Sequence, residues 1–130
     1  MIDAAQARRV VELMVLTAWA DGHVEGSEAL MIRKLTASHA ELREVGITGD
    51  ISRATRERLE AQGLDACIRE AALALTDPKY RELAFQCCAK VMGADGAYVA
   101  AEDDVLSKLQ QLFAFSDADV RRLLVLATHH

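Results

Sequence analysis

Two nearly unbroken apolar runs dominate the pattern of the chain. The first contains Val10, Val11, Leu13, Met14, Val15, Leu16 and Ala18, and the second contains Leu83, Ala84, Phe85, Cys87, Cys88, Ala89, Val91 and Met92. Within each run the apolar residues occupy every face at helical spacing, which predicts a central helix buried between neighbours. Asp3 is placed to cap the first helix, which should run to about Ala20. Thr76-Asp77-Pro78 opens the second, because proline suits a first helical turn and its preceding residue favours extended geometry. Trp19 sits at the exit of the first run, where a large ring can cover the core.

Between and after these rods the pattern is amphipathic. Ser27 is positioned to cap a helix carrying Ala29, Leu30, Ile32 and Leu35 inward, with Met31 at its edge. From Glu41 to Asp50 the apolar positions thin out around Gly46 and Gly49, predicting a loop with one short helical turn, and Asp50 is the next N-cap candidate. The stretch 51–62 alternates Arg and Glu over a thin stripe of Ile51, Ala54 and Leu59, as an outer, solvated helix does. Gly63 ends it. A helix over 64–75 follows, with Leu64, Cys67, Ile68, Ala71, Ala72 and Leu75 inward. The later helices are predicted over about 101–114 and 120–128, the last capped by Ser116-Asp117-Ala118-Asp119 and closing the bundle with Val120, Leu123, Leu124 and Ala127. His129-His130 reads as a frayed end or tag remnant.

Each apolar rod leads into the same punctuation. Ala20-Asp21-Gly22-His23-Val24-Glu25-Gly26-Ser27-Glu28 aligns without a gap to Ala94-Asp95-Gly96-Ala97-Tyr98-Val99-Ala100-Ala101-Glu102, and the register continues through Lys34 and Lys108 to Leu35 and Leu109. This is an internal duplication of a helix, an Asp-Gly turn and a second helix. Gly22 and Gly96 can take the left-handed conformation that ends a helix, and Asp tolerates the bend before them. Glu28 and Glu102 fall in the first turn of the following helix, where the amides and the macrodipole favour a carboxylate. The expectation is an all-α, single-domain bundle over 1–130, of about seven helices built around two duplicated hairpins.

Composition narrows the function. Of 130 residues 52% are hydrophobic, aromatics are scarce and there is one proline, consistent with aliphatic helix packing. A formal charge of −5 argues against nucleic acid as a partner, because phosphate binding needs a basic surface. No stretch approaches the ~18 apolar residues of a membrane span, so direct membrane insertion is not expected. Asp3 and Arg8-Arg9 break any leader-like start, and three cysteines without framework spacing suit a reducing compartment, so the expected location is the cytoplasm.

The sequence holds no HExxH spacing, no phosphate loop and no Ser-His-Asp set, so no catalytic residue is assigned and the chain is read as not an enzyme. Cys87-Cys88 point about 100° apart on a helix and are read as buried small hydrophobes rather than a redox or metal pair. The Asp-Gly turns keep the second half of a calcium-loop pattern: after the sixth-position Gly22 and Gly96 come Val24 and Tyr98, then Glu28 and Glu102 at the twelfth. The first and third positions are Thr17 and Trp19, or Val91 and Gly93, which supply no oxygen-rich half, so neither turn is an independent calcium loop. A joint site is the alternative, with Asp21, Glu28, Asp95 and Glu102 converging as hard ligands for Ca²⁺, Mg²⁺ or Mn²⁺, and Glu25, Asp103 and Asp104 at its rim. Otherwise the same carboxylates are caps on an acidic face, and no cofactor is required.

The two turns at the ends of a short helical chain resemble those of the tellurite resistance protein B (TerB-like) family, and so does the tail, Leu106-Ser107-Lys108-Leu109 followed by Phe113-Ala114-Phe115-Ser116-Asp117-Ala118-Asp119. That resemblance implies a cytoplasmic bacterial stress-response module associated with tellurite resistance. It also implies an interaction role toward an unidentified protein partner, among stress-response or membrane-associated proteins, with metal binding at positions matching Asp21, Glu28, Asp95 and Glu102. Val99-Ala100-Ala101 and Gly26 stand where the family often carries more acid.

Overall fold

A computed structural model describes residues 3–20, 26–43, 45, 49–93 and 100–128, the side chains of 100–103 and 126–128 excepted. Among the described residues there are eight helices and no strand: α1 (Ala4–Ala18), α2 (Gly26–Ser38), α3 (Ala40–Arg43), α4 (Gly49–Gln62), α5 (Leu64–Ala74), α6 (Pro78–Met92), α7 (Ala100–Phe113) and α8 (Asp117–Thr128). The seven predicted helices are all present, and α3 is the short turn expected in the 41–50 loop. None is long and apolar enough to cross a membrane.

The two apolar rods form the centre. Asp3, in extended geometry, accepts the Gln6 amide and starts α1, and Asp77 accepts the Lys79 amide ahead of Pro78 to start α6. α1 buries Ala7, Val10, Val11, Leu13, Met14, Val15, Leu16 and Ala18, and packs most extensively on α6, whose Tyr80, Leu83, Ala84, Phe85, Cys87, Cys88, Val91 and Met92 are buried in turn. Fully burying the Val, Leu, Met and Phe side chains among these contributes about 1.5–3 kcal/mol each, so the α1–α6 pair is a large source of stability. α2 packs on α1 and α6, while α7 packs on α6, on α5 and more lightly on α1. The second helix of each hairpin therefore touches the first helix of the other. α5 lies on α1, α8 on α6, and α4 rests on α1 and α5.

Polar joints fix the connections. Gln6 donates from Nε2 to the Ala74 carbonyl (3.0 Å) and to Thr76 Oγ1 (3.3 Å), while its Oε1 accepts the amides of Thr76 (3.1 Å) and Asp77 (3.3 Å). The Asp3 amide donates to the Tyr80 hydroxyl at 2.8 Å, so both rods are tied at their N-terminal ends. Gly63 joins α4 to α5 at φ 88°. At the end of α7 the Ala114 amide donates to the Gln111 carbonyl and the Phe115 amide to the Gln110 carbonyl, a Schellman closure with Ala114 left-handed at φ 59°. Phe115 then packs against Phe85 and Phe113, with ring centroids 5.6 and 5.5 Å away.

Several boundaries and faces differ from expectation. α1 ends at Ala18, with the amide of Trp19 on the Val15 carbonyl and that of Ala20 on the Thr17 carbonyl, a tightened last turn. α2 begins at Gly26 and α4 at Gly49, so Ser27 and Asp50 are inside their helices rather than capping them. Leu30 is 53% exposed. The inward face of α2 is Glu28, Ile32, Leu35 and Thr36, and a residue two positions from both Glu28 and Ile32 lies about 200° around the helix. α8 starts at Asp117, three residues early, because Ser116 and Asp119 form a reciprocal box: Ser116 Oγ accepts the Asp119 amide (3.1 Å) and Asp119 accepts the Ser116 amide (3.0 Å). Leu123 closes the core as predicted, while Ala127 and His129-His130 lie outside the described side chains.

Candidate functional site

Glu28 is the candidate site residue whose side chain is described. It stands in the first turn of α2, in phase with Ile32 and Leu35, and is 1% exposed. A carboxylate on a solvated acidic face would be open to water; this one is turned into the bundle. Burying a charge is unfavourable unless the surroundings compensate it, and the first turn of a helix supplies partial positive charge for that purpose. Glu102 holds the matching position, third in α7, with its side chain outside the described residues. Asp21 and Asp95 lie outside them as well, as do Glu25 and the side chain of Asp103, whereas Asp104 is exposed. Among the described residues no group of three or more His, Cys, Asp or Glu gathers as a metal site. The scaffold nevertheless interlocks the hairpins, through α1 on α6, α2 on α6 and α7 on α1.

Beside the first turn, Trp19 is half-buried, and it has a partner that the sequence does not announce: the Arg56 guanidinium of α4 lies 5.7 Å over its ring. A second feature is absent from the sequence reading altogether. Glu12, in the middle of the α1 rod, is 4% exposed and receives Arg9 at 3.0 Å, Arg58 at 3.2 Å and Arg8 at 3.8 Å. Arg58 also reaches Glu70 of α5 at 3.2 Å, so one guanidinium joins three helices. The available signal was an acid interrupting Val10-Val11 and Leu13-Met14 with two arginines one turn before it.

The family model of tellurite resistance protein TerB matches residues 7–125, from the first turn of α1 into α8. The chain belongs to the TerB family. Comparison with curated proteins and with solved structures gives no match. The TerB match covers both duplicated hairpins, so the family is carried by the central architecture and not by one turn.

The cysteines of this TerB domain are buried thiols. Desolvation pushes Cys88 up to about 12 and raises Cys87 still further, with the neighbouring thiol adding to the effect, so neither is a thiolate near neutrality. Burial also raises Cys67, partly opposed by the Arg58 charge. At the junction of α3 and α6, His39, Glu41, Lys79, Glu82, Leu83 and Gln86 line an open groove of about 460 Å³. Burial and the charge of Lys90 lower the basicity of His39, and Lys79 reaches Glu41 at 3.6 Å across the groove.

Proposed function

We propose that this TerB-family chain is a non-enzymatic, cytoplasmic stress-response module associated with tellurite resistance, and that it binds a protein partner through the acidic segments following α1 and α6. What supports the reading is the duplication itself. Two copies of Ala-Asp-Gly followed by a glutamate are attached to interlocked helices, so a partner meets a doubled element rather than one loop.

A second reading is favoured by the inward position of Glu28. Here Asp21, Glu28, Asp95 and Glu102 act together as oxygen ligands of a divalent cation, and the chain is a sensor or buffer. A buried carboxylate suits a hard ion better than it suits a solvated docking face, and oxygen donors of this kind match Ca²⁺, Mg²⁺ or Mn²⁺.

Thermal unfolding in chelator and then in each ion separates the two. An ion at about 100 times its dissociation constant stabilises by about 2.7 kcal/mol, which for a chain of 130 residues is a rise of about 10 °C. A rise of that order, abolished by Asp21→Asn, Asp95→Asn or Glu28→Gln, establishes the cation site. A midpoint that no ion moves, together with a partner retained in chelator and lost on Asp21→Asn with Asp95→Asn, establishes the docking face and removes the second reading.

A further inference from the structure

We propose that α4 is a detachable strap, lifting from α1 and α5 about Gly63 while the rest of the bundle stays folded, and that its release uncovers the thiol of Cys67.

The helix is held differently from its neighbours. Ile51 and Thr55 are its buried side chains and Leu59 packs partly against the core, while Arg53, Arg56, Glu57 and Glu60 face water. Beside Ile51, its fastenings are charged: Arg58 to Glu12 and to Glu70, each at 3.2 Å, and Arg56 over Trp19. The more exposed of these contacts, Arg58 to Glu70 and Arg56 over Trp19, weaken with ionic strength, whereas the aliphatic packing of α1 on α6 does not.

Release also avoids the usual obstacle to breaking a buried ion pair, which is a carboxylate left without counter-charge. Glu12 keeps Arg9 at 3.0 Å and Arg8 at 3.8 Å from its own helix, and Glu70 keeps Arg9 at 3.9 Å. The joint is Gly63, at positive φ, a residue type with the backbone freedom that a hinge needs. When α4 lifts, α5 keeps its packing on α1 and α7, and α1 keeps its packing on α6. Under the strap lies a small cavity of about 10 Å³, lined by Glu12, Leu16, Thr55, Arg58 and Cys67. Cys67 is 6% exposed there, beneath the guanidinium that would leave with α4. Local opening of a weakly anchored unit ahead of global unfolding is the general behaviour such an arrangement produces.

The test is labelling of the full chain with iodoacetamide, an uncharged reagent, in native buffer, with each cysteine followed by mass spectrometry alongside hydrogen exchange. Cys67 should label about tenfold or more faster than Cys87 and Cys88, with the amides of α4 exchanging ahead of those of α1 and α6. The Cys67 rate should rise about threefold or more between about 0.05 and 1 M KCl, and also in Arg58→Met. Should that variant fail to fold, the salt series on the unaltered chain carries the test. Three cysteines labelled at one common rate would overturn the strap. So would a Cys67 rate indifferent to salt, or fast Cys67 labelling while the α4 amides stay as protected as those of α1.

Discussion

Ala114→Gly should make the protein more stable, although it removes a methyl group. Ala114 is at φ 59°, in the left-handed region that an L side chain enters at a cost of about 1–2 kcal/mol. Glycine occupies that region freely but gives up about 0.4–1 kcal/mol through its larger unfolded-state entropy. Ala114 is exposed, so no packing is lost, and the amides of Ala114 and Phe115 keep their carbonyls at 3.2 and 3.0 Å. The net gain is about 0.5–1 kcal/mol. Unfolding entropy of about 2.1 cal/mol/K per residue gives about 270 cal/mol/K for the chain, so 1 kcal/mol is worth about 4 °C. Calorimetry should show a rise of about 2–4 °C, and urea unfolding a higher midpoint at unchanged slope. Ala114→Val, which puts a branched side chain at the same angle, should fall below the parent. A glycine variant melting lower than the parent, or a valine variant melting with it, would refute a left-handed closure of α7.

Two further predictions concern the polar joints. Ser116→Ala removes the acceptor that starts α8 and should cost about 0.5–2 kcal/mol, read as a lower urea midpoint, with Ser116→Asp restoring most of it. The same box makes a pH prediction: the Ser116 amide, then its hydroxyl, hold the Asp119 carboxyl below its ordinary value of 3.8. The contribution of that charge is thus complete above the ordinary aspartate range and is lost as pH falls through the lower folded value, so the gap between parent and Asp119→Asn should narrow on acidification. Gln6→Ala leaves the Ala74 carbonyl and the amides of Thr76 and Asp77 without their partner, and should lower stability by about 2–3 kcal/mol in chemical denaturation. A loss below about 0.5 kcal/mol would mean that water replaces the amide without penalty.

What was legible in the sequence was whatever depends on neighbours along the chain. The apolar rods announced α1 and α6, Asp77-Pro78 announced a start, Gly63 a stop, and the duplicated turns a family. What was not legible depends on partners brought from elsewhere. An acid in a first turn is equally at home facing out or in, and only the packing of α2 on α1 and α6 turns Glu28 inward and Leu30 outward. Glu12 drew no reading from the sequence because Arg58, its partner from another helix, is 46 residues away. The early start of α8 was within reach, since Ser116 with Asp119 is a capping pair in which aspartate stands where glutamate or glutamine is usual.

The central position of α1 has a consequence for the order of synthesis. α1 is made well before the helix on which it packs most: about 60 residues separate Ala18 from Pro78, where its principal partner begins. At roughly 5–20 residues per second, an apolar rod with Val10, Val11, Leu13 and Leu16 on its surface waits about 3–12 s on the ribosome before α6 starts to emerge. Gln6 is in the same position, its acceptors and donors at 74–77 arriving only then. The nascent chain therefore passes through an interval in which the apolar hub is exposed before its fold exists.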